Sequence, residues 1–592
     1  MQDPHEGKIG ELNRLRQQGK LDEVVAKAEA LVRQHPHSAA TWYILGEAFL
    51  DLGKGDAAKA AFQNAILIDP KNADAHVNLG VIQLAQGRLD EAIASFEKTI
   101  ALKPESVEAQ YNLGLAYQEQ KSPVEAIAAY QRTLELMPDL TRAEVRLMRQ
   151  RRLICDWGNS AEQERRIAQL GVRQAGPTPF AMLAMEDHPE RQLIRSQVYA
   201  KENFLTSTSR FVRPRERPTT LRIGYFSGDF HDHAVMFLIS GLFREHDRSR
   251  FNLSAYSFGQ TRTGALRKSI EQEFSTFNDV AGMTGRELNA LARRHKLDIA
   301  IDLSGYTQRA RTSVFAQRVA PIQINYLGYP GTIGGSFMDY IVGDPTLIPE
   351  THRSHYSENV IYLPHTYQPN DNRRVISNIA TSRRDFGLPE KGFVFCCFNQ
   401  CYKITPREFD IWMRLLTKVE DSVLWLSGPD RFTKENLRRE ATARGVGSNR
   451  LVFARQLPPD VHLSRHRHAD LFVDTFNYNA HTTASDALWS GLPVVTMVGE
   501  QFAARVAASL LNAAGLPELI AASEKEYESL IFELATSPEK LNAIRSKLEE
   551  TKSSIPLFDT ARYARDFERG LNRAYDLFLE GRSPEDIRVG ET

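Results

Sequence analysis

Four cysteines in 592 residues are too few for a disulfide framework. Three of them, Cys396, Cys397 and Cys401, cluster on and just after one apolar run, with Cys155 far away and no second cluster to complete a metal site. This is the usage of reduced core thiols, and it sets the expectation of a cytoplasmic protein. Charge of one sign is also missing: 74 Lys and Arg balance 74 Asp and Glu, so nothing electrostatic argues for nucleic acid or an anionic membrane as partner. No apolar run approaches a membrane span, and the opening Met1-Gln2-Asp3-Pro4-His5-Glu6 lacks the apolar core of a signal peptide. Three nucleotide motifs are absent as well. No G-x-G-x-x-G follows the first strand of the α/β region, no Gly-Lys-Ser/Thr loop occurs, and there is no Asp-x-Asp. These absences argue against a nicotinamide dinucleotide, a P-loop, and a Mg²⁺ ion held by that acidic pair.

What is present begins with a repeat. Leu45-Gly46, Leu79-Gly80 and Leu113-Gly114 recur every 34 residues, as do Ala58, Ala92 and Ala126; Phe62, Phe96 and Tyr130; and Pro70, Pro104 and Pro138. Small residues let paired helices approach, the aromatic fills the space beside them, and the proline ends the second helix. Period and residue classes resemble the tetratricopeptide repeat. Val24, Ala28 and Pro36 keep the register, so a degenerate repeat is expected to open the array. Asn78 and Asn112 share one place on successive first helices, and Ile44 holds the remaining copy. Their amides either bond to the backbone of an acceptor peptide on the concave face or are polar surface residues. The repeats are expected over 1–140, followed by a helical linker over 141–217 that loses the register and ends at Pro214-Arg215-Glu216-Arg217-Pro218.

Strands and helices then alternate. Arg222–Ser227, Leu253–Ser257, Ile299–Leu303, Ile322–Tyr326, Tyr340–Val342 and Val360–Leu363 form one series of strand candidates. Phe393–Phe398, Val423–Leu426, Leu451–Phe453, Leu471–Val473 and Val494–Met497 form a second. The pattern predicts two parallel-sheet lobes, over 218–385 and 386–592, with ligand in a cleft beyond the carboxyl ends of the strands.

Four strand exits carry chemistry. After Leu471–Val473, small and hydroxyl residues in Asn479-Ala480-His481-Thr482-Thr483-Ala484-Ser485 open a short helix that Gly491 closes. Free N–H groups, hydroxyls and the positive helix end make a phosphate seat, or else an ordinary N-cap. Ser227-Gly228-Asp229-Phe230-His231-Asp232-His233 offers a histidine to the cleft as a base or as a polar wall, with no third ligand for a metal pair. Leu327-Gly328-Tyr329-Pro330-Gly331-Thr332 allows close backbone approach to a ligand, or is a tight βα turn. Phe398-Asn399-Gln400-Cys401-Tyr402-Lys403 places a lysine five residues past a strand.

Together these blocks resemble the O-linked N-acetylglucosaminyltransferase family, and the chain is similar to a bacterial homologue of the nucleocytoplasmic enzymes that modify protein Ser and Thr. Ala320-Pro321-Ile322-Gln323, Asp474-Thr475 and Gly499-Glu500 with Arg505-Val506-Ala507-Ala508-Ser509 extend the match. The resemblance implies an all-α tetratricopeptide superhelix followed by an α/β GT-B glycosyltransferase of two Rossmann-like lobes. It implies UDP-N-acetylglucosamine as donor, protein acceptors recruited by the repeats, and no cofactor or metal. By position, Gln400, His481, Thr482 and Thr483 would hold the pyrophosphate, Lys403 would neutralise the leaving phosphate, and Asp486 would contact ribose. His462, Arg465 and the backbone at Leu457-Pro458 would border uracil, and Leu327, Gly328 and Pro330 would line the sugar pocket. His233 would stand near the acceptor, as catalytic or as binding group. Where animal members have an Ala-Pro-Lys turn, this chain has Leu457-Pro458-Pro459, so one basic contact is missing. Two rival readings are a SPINDLY-type O-fucosyltransferase using GDP-fucose, which tends to have threonine in place of His481, and a non-catalytic repeat adaptor, against which the intact Lys403, His481, Thr482, Thr483 and Asp486 argue.

Overall fold

The computed structural model describes residues 6–158, 165–173, 176–207, 211–260, 262–428 and 430–590, which fall into two compact units, Met1–Leu153 and Ile154–Thr592. In the first unit, helices pair in order: Glu6–Gln17 with Leu21–Gln34, Ala39–Asp51 with Gly55–Ile68, Ala73–Ala85 with Leu89–Leu102, and Val107–Glu119 with Pro123–Leu136. The repeated glycines are dictated by their neighbours. A Cβ on Gly46, Gly80 or Gly114 would lie 2.5–2.7 Å from the ring of Phe62, Phe96 or Tyr130. The first helices also share a cap, since Ser38, Asn72 and Ser106 accept from the N–H of Thr41, Ala75 and Ala109.

The boundary expected at 140 lies one helix too early. Helix Thr141–Leu153 is a further first helix in the same register, with Ala143 and Leu147 buried 34 residues after Ala109 and Leu113. Arginine at 142, 146 and 149 and Met148 in the glycine's place conceal it in the sequence. Arg146 occupies the Asn112 position and donates from Nε to the Tyr111 hydroxyl at 2.8 Å. Asn78 likewise donates to the Tyr43 hydroxyl at 3.2 Å, so these side chains brace successive helices.

Among the described residues of the second unit, fourteen strands form two parallel sheets. The first contains β1 (Leu221–Ser227), β2 (Phe251–Ser257), β3 (Thr276–Asp279), β4 (Ile299–Asp302), β5 (Ile322–Asn325), β6 (Tyr340–Gly343) and β7 (Asn359–Tyr362). The second contains β8 (Val394–Cys397), β9 (Val423–Ser427), β10 (Leu451–Ala454), β11 (Leu471–Val473), β12 (Val494–Met497) and β13 (Ile520–Ala521). β14 (Ile587–Arg588) returns to the first sheet, whose order is β14-β7-β6-β5-β4-β1-β2-β3. The second runs β10-β9-β8-β11-β12-β13. The two expected lobes are present, and every strand read from the apolar runs is found.

The lobe boundaries differ from the expected ones at both ends. Helix Thr560–Leu579 and β14 belong to the first lobe: Ile587 pairs with Ile361, Tyr563 and Tyr326 share a hydroxyl contact at 2.5 Å, and His246 Nδ1 meets Glu568 at 2.9 Å. Residues assigned to a linker instead pack into the second unit. Trp157 stands edge-on to Phe409 at 5.1 Å, Gln192 donates to the Tyr329 hydroxyl at 2.9 Å, and Asp187 accepts from the N–H of Glu500 and Gln501. Among the described residues, no helix is long and apolar enough to cross a membrane.

Candidate functional site

In a doubly wound sheet the chain leaves a crevice where the strand order reverses. The reversal falls between β1 and β4 in the first lobe and between β8 and β11 in the second. The four strand exits singled out in the sequence follow β1, β5, β8 and β11, and the last two flank the second reversal. A cavity of about 650 Å³ among Arg213, Arg318 and Phe578 lies instead at the amino-terminal ends of β5 and β6, away from these exits.

Asp474, just past β11, organises the second reversal. Its buried carboxylate accepts from the N–H of Thr475 (2.8 Å) and Ala480 (2.7 Å), from Thr496 Oγ1 (2.8 Å) and from Asn399 Nδ2 (3.0 Å). Burial pushes its pKa up to about 6 against the pull of these donors. Asn399 also donates to Thr475 Oγ1 at 2.8 Å and takes the Thr483 hydroxyl on Oδ1, tying the β8 and β11 exits together. Thr475 Oγ1 in turn donates to the Tyr478 carbonyl at 2.7 Å. The loop from Asp474 to His481 is thus wound around one carboxylate.

Lys403 ends the short turn Cys401–Lys403. Its Nζ donates to the Asn479 carbonyl at 2.9 Å and lies 3.8 Å from the centre of the Tyr478 ring. Burial lowers its pKa to about 8, opposed by Asp474 and the Cys397 thiol. Below that pH it is a cation in a dry site. Helix Thr482–Trp489 begins three residues after the Asn479 carbonyl, with no side-chain cap. Its first intrahelical bond runs from the Ser485 N–H to the His481 carbonyl, so the N–H groups of Thr482, Thr483 and Ala484 precede it. His481 Nε2 donates to the Ala503 carbonyl at 3.1 Å, and burial with Lys403 nearby holds its pKa well below the usual imidazole value. The ring is neutral with an acceptor at Nδ1. It suits a ligand hydroxyl or amide N–H, and only the His481 backbone N–H suits a phosphate. Gln400 is exposed at the start of the Lys403 turn.

Asp486 is committed within the protein. Its carboxylate pairs with Arg374 and lies 3.6 Å from His462 Nε2. Arg374 lowers its pKa to about 2 despite burial. Such a group contributes stability above pH 3.8 that is lost as pH falls through 2. Arg374→Ala is expected to cost about 3 kcal/mol by stranding a buried carboxylate, read as a lower urea midpoint at pH 7; a change under about 0.5 kcal/mol would rule out the pair's importance.

His462 and Arg465 sit on helix Pro459–Arg465, which Leu457 and Pro458 lead into. The Arg465 guanidinium lies 4.2 Å from the Phe398 ring centre and donates to the Arg455 carbonyl, and its buried Nε has no protein partner. Burial lowers its pKa to about 10, so it stays charged. A buried donor without an acceptor beside a flat aromatic is the chemistry a base carbonyl would satisfy.

In the first lobe, Leu327 has φ +69, a left-handed conformation strained for leucine, and a Cβ on Gly328 would strike the Leu303 carbonyl. Pro330 is buried beside them. The β5 exit is therefore a tight turn whose backbone is forced into place. His233 caps helix Ala234–Glu245, Nδ1 accepting from the Val235 N–H at 3.3 Å. In the neutral ring the proton then resides on Nε2, which favours a donor role over that of a base. The His231 ring is 5.9 Å from that of His233, and among the described residues no group of three His, Cys, Asp or Glu side chains is placed to hold a metal. Sequence reasoning named Asp474 only as part of a matching block and missed Arg374 and Tyr478.

Comparison with known proteins covers both units. Residues 183–380 and 373–567 match the family described as Glycosyl transferase family 41, and residues 10–58, 45–104 and 84–140 match the tetratricopeptide repeat. The probable UDP-N-acetylglucosamine–peptide N-acetylglucosaminyltransferase SEC of Arabidopsis thaliana is 33% identical over 461 residues, covering 74% of this chain and 47% of that one. The UDP-N-acetylglucosamine–peptide N-acetylglucosaminyltransferase of Caenorhabditis elegans is 27% identical over 561 residues, covering 72% and 48%. The chain thus spans about half the length of the curated relatives it matches. A solved structure of the Thermobaculum terrenum O-GlcNAc transferase, a lysine-to-methionine mutant, superposes with a TM-score of 0.68 at 26% identity, covering 92% of this chain and 98% of that one.

Proposed function

The chain belongs to glycosyl transferase family 41, and on that premise we propose that it transfers N-acetylglucosamine from UDP-N-acetylglucosamine to Ser or Thr hydroxyls of cytoplasmic proteins. Transfer inverts the anomeric centre and needs no metal ion. One observation carries this reading: a buried ammonium, Lys403, is held across the strand reversal on the Asn479 carbonyl, three residues before the uncapped start of helix Thr482–Trp489. A departing UDP gathers negative charge on its diphosphate, and a fixed cation with free N–H groups stabilises that charge as Mg²⁺ does elsewhere. Arg465 and His462 border the uracil, and His233 donates from Nε2 at the acceptor side. The repeats recruit the acceptor protein.

The test uses the full chain with tritium-labelled UDP-N-acetylglucosamine and a protein extract. Label is expected on protein, with undiminished rate in EDTA. UDP should raise the melting temperature through preferential binding to the native state, and GDP should not. Stabilisation by GDP alone would favour the fucose donor instead, and abolition by EDTA would remove Lys403 from its role.

A further inference from the structure

An aromatic ring, and not a carboxylate, is what lies directly on the Lys403 ammonium. The Tyr478 ring centre is 3.8 Å from Nζ, inside the range in which a cation is attracted to the ring face. The ring is held from several sides. It lies 4.8 Å from the His481 ring and meets Phe180 at 6.4 Å and Tyr402 at 6.5 Å, both edge-on. Its own carbonyl is pinned by Thr475 Oγ1, and the next carbonyl, of Asn479, receives the lysine. Ring and carbonyl therefore come from consecutive residues of the loop wound on Asp474. Tyr478 as a residue is 7% exposed, too enclosed to be a surface aromatic that a lysine happens to cross.

Resting on the function proposed above, we propose that Tyr478 is a positioning residue for the reaction, its ring face and the Asn479 carbonyl together holding the Lys403 ammonium protonated and aimed at the donor's diphosphate. A long flexible lysine in a dry pocket has two ways to fail. It can swing away, or it can lose its proton. A neutral partner that attracts the cation without forming an ion pair counters both, and it does not compete with the phosphate as a carboxylate would. The other groups that act on Nζ are Asp474 and the Cys397 thiol, which favour the charge, and the neutral ring of His481. None of these lies on the ammonium as the ring does.

The conservative pair Tyr478→Phe and Tyr478→Leu separates ring from hydroxyl. Turnover of UDP-N-acetylglucosamine by hydrolysis, which needs no acceptor, is followed against pH for the native chain, both variants and Lys403→Ala, with UDP affinity and melting temperature alongside. The Phe variant should keep the basic limb of the native profile. The Leu variant should move that limb to lower pH by about half a unit to one and a half units, the worth of a partly desolvated cation–π contact. Its turnover at pH 8 should fall by about 2- to 16-fold, with little change in KM. A Leu variant that melts normally and keeps the native limb, or raises it, overturns the role of Tyr478. Should Lys403→Ala turn over normally, the proposed function of Lys403 fails first, and the two failures are thereby distinguished.

Discussion

Replacing Lys403 by alanine is expected to lower turnover by up to about three powers of ten while the chain stays folded. Two charges about 4 Å apart attract by about 4 kcal/mol at an effective dielectric near 20, and only the part that grows toward the transition state accelerates the reaction. The native pH profile should show the same group: with a pKa of about 8, the active protonated form is lost above that pH, so turnover falls as pH rises through 8. Stability moves the opposite way. A lysine whose folded pKa is lowered from 10.5 costs stability while protonated, fully below pH 8, and the cost fades as pH rises from 8 to 10.5. Lys403→Met is therefore expected to be inactive and, at pH 7, more stable by about 2–3 kcal/mol. An active Met variant, or one that melts well below the native chain, would contradict this account.

Asp474→Ala should have the second-largest effect. The substitution strands four donors, the N–H groups of Thr475 and Ala480, Thr496 Oγ1 and Asn399 Nδ2, inside a buried site. A cost of about 3–5 kcal/mol follows from leaving such groups unpaired. Function should suffer more than stability alone explains, because the loop that carries Tyr478, Asn479 and His481 loses its centre. UDP affinity is expected to fall by at least about 100-fold. Urea unfolding and UDP titration on the same protein check both parts. A loss below about 1 kcal/mol with native UDP affinity would show that the loop holds its shape without the carboxylate.

Some of this was legible in the residues themselves. The 34-residue repeat survives in the sequence because each glycine faces a ring that leaves no room for a Cβ. Lys403 and the His481–Ser485 stretch stood out because they follow apolar runs read as buried strands, and their roles, with that of Asp486, came from the family resemblance. What escaped is what depends on through-space convergence. Asp474 is an ordinary strand-exit acid until four donors from three separate segments meet it. Tyr478 reads as one more core aromatic until Lys403, 75 residues earlier, lands on its face. Arg374 sits in a polar stretch that gives no hint of Asp486. β3, β13 and β14 are short strands whose few residues carry no clear alternation, and nothing local in Thr560–Leu579 says which lobe that helix will join.

That last helix limits how the protein can be taken apart. Because Thr560–Leu579 and Ile587–Arg588 complete the first lobe, a cut near 385 does not yield two independent pieces. The amino-terminal fragment would bare the edge of β7, and the carboxyl-terminal fragment would trail an amphipathic helix with no surface to lie on. Both are recipes for aggregation. Expressed together, the same two fragments should reassemble, since the helix and strand of one are the missing layer of the other.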